Sequence, residues 1–156
     1  MRTFDLFLNG KWVKPKKEAW IDNVNPATGE VFCRVAAAGE KEVEEALQGA
    51  YEARKAWGKT LAKEREKILL RAADYMEENA EKFLPDLIDE SGSSYTKMSA
   101  EIGSCVDLMR TAAGECSRLG GGVVQGEYKN YLSYYVRNPL GVVAGISPFN
   151  YPLFLA

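Results

Sequence analysis

Near the end of the chain, Gly141-Val142-Val143-Ala144-Gly145-Ile146 is an apolar run with no charge at any position, and Ser147-Pro148 stops it abruptly. A strand with one wet face alternates polar and apolar residues. A strand with no charge on either face reads as covered on both sides, the pattern of a parallel sheet flanked by helices, so the fold class expected is α/β. Pro148 cannot continue a hydrogen-bonded ladder, and Pro152 suits the first turn of a helix beginning near Tyr151 or Pro152. Phe149, Asn150 and Tyr151 are therefore expected in a short rigid turn at the end of a strand where open α/β sheets gather ligands. Asn150 has two readings there. Its side chain can cap the helix, Asn being among the commonest N-cap residues, or its amide N–H can face a cleft and donate to a developing oxyanion.

The earlier chain supplies hairpins and then helices. Two apolar runs within Phe4 to Val13 flank Asn9-Gly10, a strong hairpin signal because both central residues of a type I′ turn need positive φ. Asn25-Pro26-Ala27-Thr28-Gly29 separates a second pair of strands, Trp20 to Val24 and Glu30 to Val35. From Lys41 the period becomes helical, with Val43, Ala46, Leu47, Ala50, Ala53 and Trp57 on one face. Thr60 is the expected cap of a second helix with Ile68, Leu69, Ala72, Tyr75 and Met76 as its buried stripe, and Asn79 is expected to break it. Pro85 predicts a kink, or a start near Leu84, in a third. A fourth is expected from about Tyr95 to Leu119, since Met98, Ile102, Cys105, Met109, Ala112, Cys116 and Leu119 recur at three and four. Gly103 and Gly114 in that helix suggest close approach of another backbone, and Gly120-Gly121-Gly122 reads as its C-cap rather than a phosphate loop. Val123 to Glu127 and Tyr131 to Arg137 then read as a two-stranded ribbon turning at Tyr128-Lys129-Asn130.

Composition excludes several chemistries. The sequence contains no histidine, which removes His triads, His general bases and His-containing metal sites. Cys33, Cys105 and Cys116 form no Cys-x-x-Cys pair and read as small core residues of a reducing compartment. A net charge of −2 gives no basic surface for nucleic acid. The most apolar segment, Gly141 to Ala156, is broken by two prolines and falls short of the roughly 20 residues a spanning helix needs, and the N-terminus carries no secretory pattern. A soluble cytoplasmic protein without membrane or nucleic-acid partner is expected.

Arg137-x-Pro139-x-Gly141-Val142-Val143 followed by Ile146-x-Pro148-Phe149-Asn150-Tyr151-Pro152 resembles the signature segment of the NAD(P)-dependent aldehyde dehydrogenase superfamily. Leu8-Asn9-Gly10-Lys11-Trp12-Val13 and Asn25-Pro26-Ala27-Thr28-Gly29-Glu30-Val31 are similar to the opening of such enzymes. The resemblance implies that Asn150 binds the oxyanion of a cysteine thiohemiacetal. It implies that Ile146, Ser147, Pro148, Phe149 and Asn150 lie beside the cofactor, NAD or NADP, and that Tyr151 walls the aldehyde tunnel, with Asp107, Leu108 and Thr111 as further wall residues on the long helix. Phe149 where most members carry Trp resembles the branches acting on aromatic aldehydes or on triose phosphate, and Ser93 where members often carry Lys resembles the aromatic branch, so the benzaldehyde and vanillin kind is favoured. The implied organisation is residues 1–119 as N-terminal hairpins plus a helical layer, 120–138 as an oligomerisation ribbon, and 139–156 as the first strand and helix start of the Rossmann-like sheet. In the family the matching ribbon contributes to subunit contacts, so the resemblance implies a homo-oligomer, a dimer or tetramer; a plain hairpin packed within one domain is the alternative.

An aldehyde dehydrogenase needs a thiolate nucleophile, oxyanion donors, a hydride acceptor and a base for the deacylating water. The family's nucleophile and base contexts, Gly-Gln-x-Cys and Leu-Glu-Leu-Gly-Gly, do not occur in these residues. The chain is therefore expected to be the inactive N-terminal part of such an enzyme. The competing expectation is a non-catalytic helical module that self-associates through its terminal strands.

Overall fold

The computed structural model describes residues 1–17 and 19–156. The first apolar run divides at Asp5, so that β1 (Arg2–Phe4) and β2 (Leu6–Leu8) enter different sheets. β2 pairs with β3 (Lys11–Val13) through Asn9 and Gly10, both at positive φ as the turn demands, with Phe7 opposite Trp12. Their rings lie 5.0 Å apart.

β4 (Trp20–Val24) and β5 (Val31–Ala36) pair antiparallel across the Asn25 turn. There the Gly29 N–H donates to the Asn25 carbonyl at 2.8 Å, and the Asn25 side chain accepts from Ala27 at 2.9 Å. β1 lies parallel to the other edge of β5, giving the order β1-β5-β4. Three residues carry no readable period, so the sequence does not predict β1.

α1 (Glu40–Trp57) begins where Glu42 accepts the N–H of Gly39 at 3.0 Å and of Lys16 at 2.8 Å. Its expected apolar face does not pack: Val43, Leu47 and Trp57 are exposed, Leu47 by 52%. α2 (Ala62–Glu78) corrects the expected cap. Its first N–H groups are served by Glu64, which accepts from Leu61 at 3.2 Å, while the Thr60 hydroxyl donates back to Ala56. The buried row of α2 runs through Ala73, with Leu69 and Met76 half-buried, and not through Ile68, Ala72 and Tyr75, which are exposed. The shift follows the helix it meets: α4 (Tyr95–Glu115) presents the fully buried Ala113, and Arg110 of α4 grips Glu77 at 2.6 Å and Asp74 at 3.1 Å.

α3 (Ala80–Ser91) does not wait for Leu84 but begins at Ala80 and carries Pro85 inside. Burying Leu84 and Leu87 in one register outweighs the hydrogen bond that Pro85 cannot make to Glu81. Gly92 closes the helix at φ 64°, and the Ser94 hydroxyl caps α4 by accepting from Lys97 at 3.4 Å.

α4 stops at Glu115, short of Leu119, which is exposed. Its packed residues are Met98, Glu101, Ile102, Cys105, Val106 and Ala113, so the expected stripe holds to Cys105 and then drifts; Ala112 is exposed. No backbone approaches Gly103, and a Cβ on Gly114 would meet only the Arg118 side chain. The glycine triplet is not the C-cap. Gly121 and Gly122 instead lie against the carbonyl and ring of Tyr135, where a side chain would collide. They open the ribbon of β6 (Gly122–Val124) and β7 (Ser133–Tyr135), shorter than expected, with Val123 opposite Tyr134 and both exposed.

Residues 139–146 contain no strand. A strand needs a neighbour for its ladder, and among the described residues none pairs with this run, so Ile146 is 96% exposed. Where a buried strand is expected there is thus a segment without regular structure. The expected helix start is a single turn, closed by the Leu155 N–H to the Tyr151 carbonyl at 3.2 Å. The core sits elsewhere: Leu84 and Leu87 of α3 and Met98 and Ile102 of α4, with Phe83, Ile88, Met76 and Leu153 packed around them.

Candidate active site

Leu153 in that core ties the end of the chain to the helical layer, and α4 supplies the rest of the attachment. Lys97, Glu101 and Cys105 recur every four residues and so present one row along the helix. Residues 150–154 lie on this row. Lys97 Nζ donates to the Asn150 carbonyl at 2.7 Å and to Ser93 Oγ at 3.1 Å, and sits 4.7 Å from the Tyr151 ring centroid. Glu101 Oε1 accepts the N–H groups of Leu153 at 2.8 Å and Phe154 at 3.2 Å. The Cys105 thiol donates weakly to the Leu153 carbonyl at 3.9 Å.

These contacts bear on the capping reading of Asn150. A cap at this position would serve the first free N–H of the turn; Pro152 has none, and the next, that of Leu153, is taken by Glu101. Among the described residues the Asn150 side chain makes no hydrogen bond, and the residue is exposed. Its main chain is held while its amide points to no partner. Two donor hydrogens on a fixed backbone are what oxyanion binding requires.

The remaining sequence-derived residues fall into two groups. Ile146, Ser147, Pro148 and Phe149 precede the turn on the open segment, with Phe149 91% exposed and Pro148 half-buried. Tyr151 stands under Lys97. Leu108 lies one turn beyond Cys105 on nearly the same side of α4, whereas Asp107 projects about 160° around the helix from Cys105 and Thr111 lies between them. All three are exposed, and the Thr111 hydroxyl donates to the Asp107 carbonyl at 2.9 Å. A concavity of about 770 Å³ lies between the end of α1 and residues 137–143, lined by Trp57, Arg65, Pro139 and Val142 among others, and is separate from the Asn150 turn.

Neither Lys97 nor Glu101 was picked out from the sequence. Glu101 had a signal: it is three residues after Met98 and four before Cys105, a carboxylate within the apolar stripe, where a charge needs a partner. The three cysteines are free thiols. Burial pushes the Cys33 and Cys105 thiols up from the ordinary value, with Glu101 adding to the effect at Cys105, so neither favours the thiolate that a nucleophile requires. Among the described residues no group of three or more Cys, Asp or Glu side chains could hold a metal ion, and no helix is long and apolar enough to cross a membrane.

Comparison with known proteins gives the context of this turn. Residues 12–156 match the aldehyde dehydrogenase family. An aldehyde dehydrogenase of Deinococcus radiodurans is 36% identical over 99% of this chain, which covers 30% of that protein. The crystal structure of a salicylaldehyde dehydrogenase from Pseudomonas putida G7, complexed with salicylaldehyde, superposes with a TM-score of 0.92 at 28% identity over the whole chain and 32% of its own. A NAD-dependent benzaldehyde dehydrogenase from Corynebacterium glutamicum gives 0.87 at 32% identity, covering 96% of this chain and 32% of that one. The chain thus spans about a third of the length of the relatives it matches.

Proposed function

The chain belongs to the aldehyde dehydrogenase family, and from that premise we propose that it is the N-terminal part of an enzyme oxidising an aldehyde to a carboxylic acid with NAD or NADP. The observation that carries the reading is Asn150, held through its carbonyl by Lys97 while its side-chain amide is free to donate. When a cysteine thiolate adds to the aldehyde, negative charge collects on the former carbonyl oxygen. An amide N–H aimed at that oxygen stabilises the transition state more than the ground state. Lys97, its charge directed at the Asn150 carbonyl and the Tyr151 ring, holds the donor's backbone.

The cofactor would supply the hydride acceptor. Ile146, Ser147, Pro148 and Phe149 fit a place beside it, since they offer an uncharged edge, exposed except at the half-buried Pro148, with one hydroxyl for a flat ring and its sugar. Tyr151 and Leu108, the candidates nearest the row that holds the turn, would contribute to the aldehyde side, with Thr111 and Asp107 further round α4. An aromatic substrate is favoured by Phe149 and Tyr151 flanking the donor, and salicylaldehyde and benzaldehyde dehydrogenases stand among the similar structures.

Residues 1–156 alone are proposed to be inactive, because neither the Gly-Gln-x-Cys context of the family's nucleophile nor the Leu-Glu-Leu-Gly-Gly context of its base occurs in them. Free thiols agree with a reducing cytoplasm. The exposed ribbon, with Val123 and Tyr134 uncovered, would contribute to contacts in a homo-oligomer. The relatives, being aldehyde dehydrogenases, lend the non-catalytic module no support.

The test is turnover by the protein expressed from the complete reading frame that contains these residues. Formation of reduced nicotinamide with benzaldehyde at a higher kcat/KM than with a straight-chain aldehyde is the expected result. No turnover with any aldehyde sinks the enzymatic reading, and a preference for the straight chain sinks the aromatic one.

A further inference from the structure

Glu101 is 1% exposed in the packed face of α4. One oxygen receives two main-chain N–H groups, and the other is buried with no partner. Holding a carboxylate out of water is costly unless its hydrogen bonds compensate, and here both come from one place, the turn that follows Asn150. We infer that Glu101 is a positioning residue: it fixes the main chain at Leu153 and Phe154 so that the Asn150 amide stays where the oxyanion forms. The inference rests on the reading of Asn150 as the oxyanion donor.

The geometry is that of a two-point clamp. Lys97 grips the Asn150 carbonyl, and one helical turn later Glu101 grips the N–H groups of residues 153 and 154. Pro152 cannot donate, so the second grip has to fall beyond it. Both anchors sit on one rigid helix, and between them the Tyr151 ring meets the same helix under Lys97. Releasing either anchor lets residue 150 move relative to α4. Glu101 itself faces the backbone and does not contact the aldehyde. It acts only through Asn150.

The experiment compares Glu101→Ala, Glu101→Gln, Asn150→Ala and the double variant Glu101→Ala/Asn150→Ala in the protein from the complete reading frame. Two readouts are used, kcat and amide hydrogen exchange of the peptide spanning residues 149–156. Glu101→Ala should lower kcat by about 10- to 100-fold, as small misplacements of a catalytic group do, with cofactor KM unchanged. Exchange at Leu153 and Phe154 should be about tenfold faster or more. The double variant should be no slower than Asn150→Ala within about twofold, since Glu101 has nothing left to position. Glu101→Gln keeps a neutral acceptor of the same shape, so it should recover most of the rate; if the alanine variant does not fold, it carries the comparison with a smaller gain in exchange.

Unchanged exchange at Leu153 and Phe154 overturns the inference, as does a double variant whose defects multiply. Faster exchange in Glu101→Ala alongside a wild-type kcat in Asn150→Ala overturns a different statement, the donor reading, and leaves the anchoring of the turn in place.

Discussion

Truncating Met98 to alanine removes the side chain at the point where α3, α4 and the last turn of the chain meet. Met98 is 0% exposed and surrounded by Leu84, Leu87 and Ile102. About three methylene-sized groups are lost, worth roughly 2.4 kcal/mol at about 0.8 each before any cavity is counted. Leu84 and Leu87 share a helix and cannot both move in, so a residual cavity adds to that, and a total near 3 kcal/mol is expected. No polar group is orphaned, because Ser91 Oγ, 3.6 Å from the Met98 sulfur, also donates to the Leu87 carbonyl at 2.6 Å. The assay is equilibrium denaturation, read as a fall in the midpoint at constant slope. Leu108→Ala on the exposed side of the same helix is the control, expected within about 0.5 kcal/mol. If Met98→Ala costs no more than the control, the core is not where α3 and α4 are said to meet.

Gly92→Ala should destabilise by about 1 to 3 kcal/mol in the same assay, because φ is 64° and a Cβ would strike the Pro26 ring; a neutral result would contradict the α3 to α4 connection described. The backbone N–H of Lys16 first, with that of Gly39, holds the Glu42 carboxylate below the ordinary value of 4.5, so folding favours its ionised form. Its contribution is complete above the unfolded value and is lost as pH falls through the folded one; Glu42→Gln should flatten the acid limb of a stability profile, and an unchanged limb would refute the assignment. Charged substitutions at Val123 and Tyr134 should weaken self-association measured by sedimentation velocity, whereas an unaltered assembly would remove the ribbon from the interface.

What could be read from the residues was what local chemistry decides. Asn9-Gly10 and Asn25 to Gly29 specify their turns by φ and by side-chain hydrogen bonds, and both hairpins formed as expected. Helix positions were legible from apolar period, but the packed faces were not: α2 turns Ala73 inward on the side where Arg110 of α4 holds Asp74 and Glu77, a fact of the partner and not of α2. The late start offered by Pro85 gave way to the burial of Leu84 and Leu87 for the same reason. The run from Gly141 to Ile146 has strand composition without a strand to pair with, so its sequence describes an environment that residues 1–156 do not themselves supply. At the site, the motif pointed to Asn150, while Lys97 and Glu101, which hold it, lie some fifty residues earlier and meet it only in three dimensions.

The most direct test of the Asn150 assignment is the single-turnover acylation rate of Asn150→Ala in the protein from the complete reading frame, with nucleotide affinity measured alongside. Loss of one preorganised oxyanion donor should slow acylation by about 10² to 10³, or roughly 2.7 to 4 kcal/mol, with nucleotide affinity unchanged. A rate within about threefold of the unsubstituted protein would contradict the account and leave Asn150 as an ordinary residue of a turn.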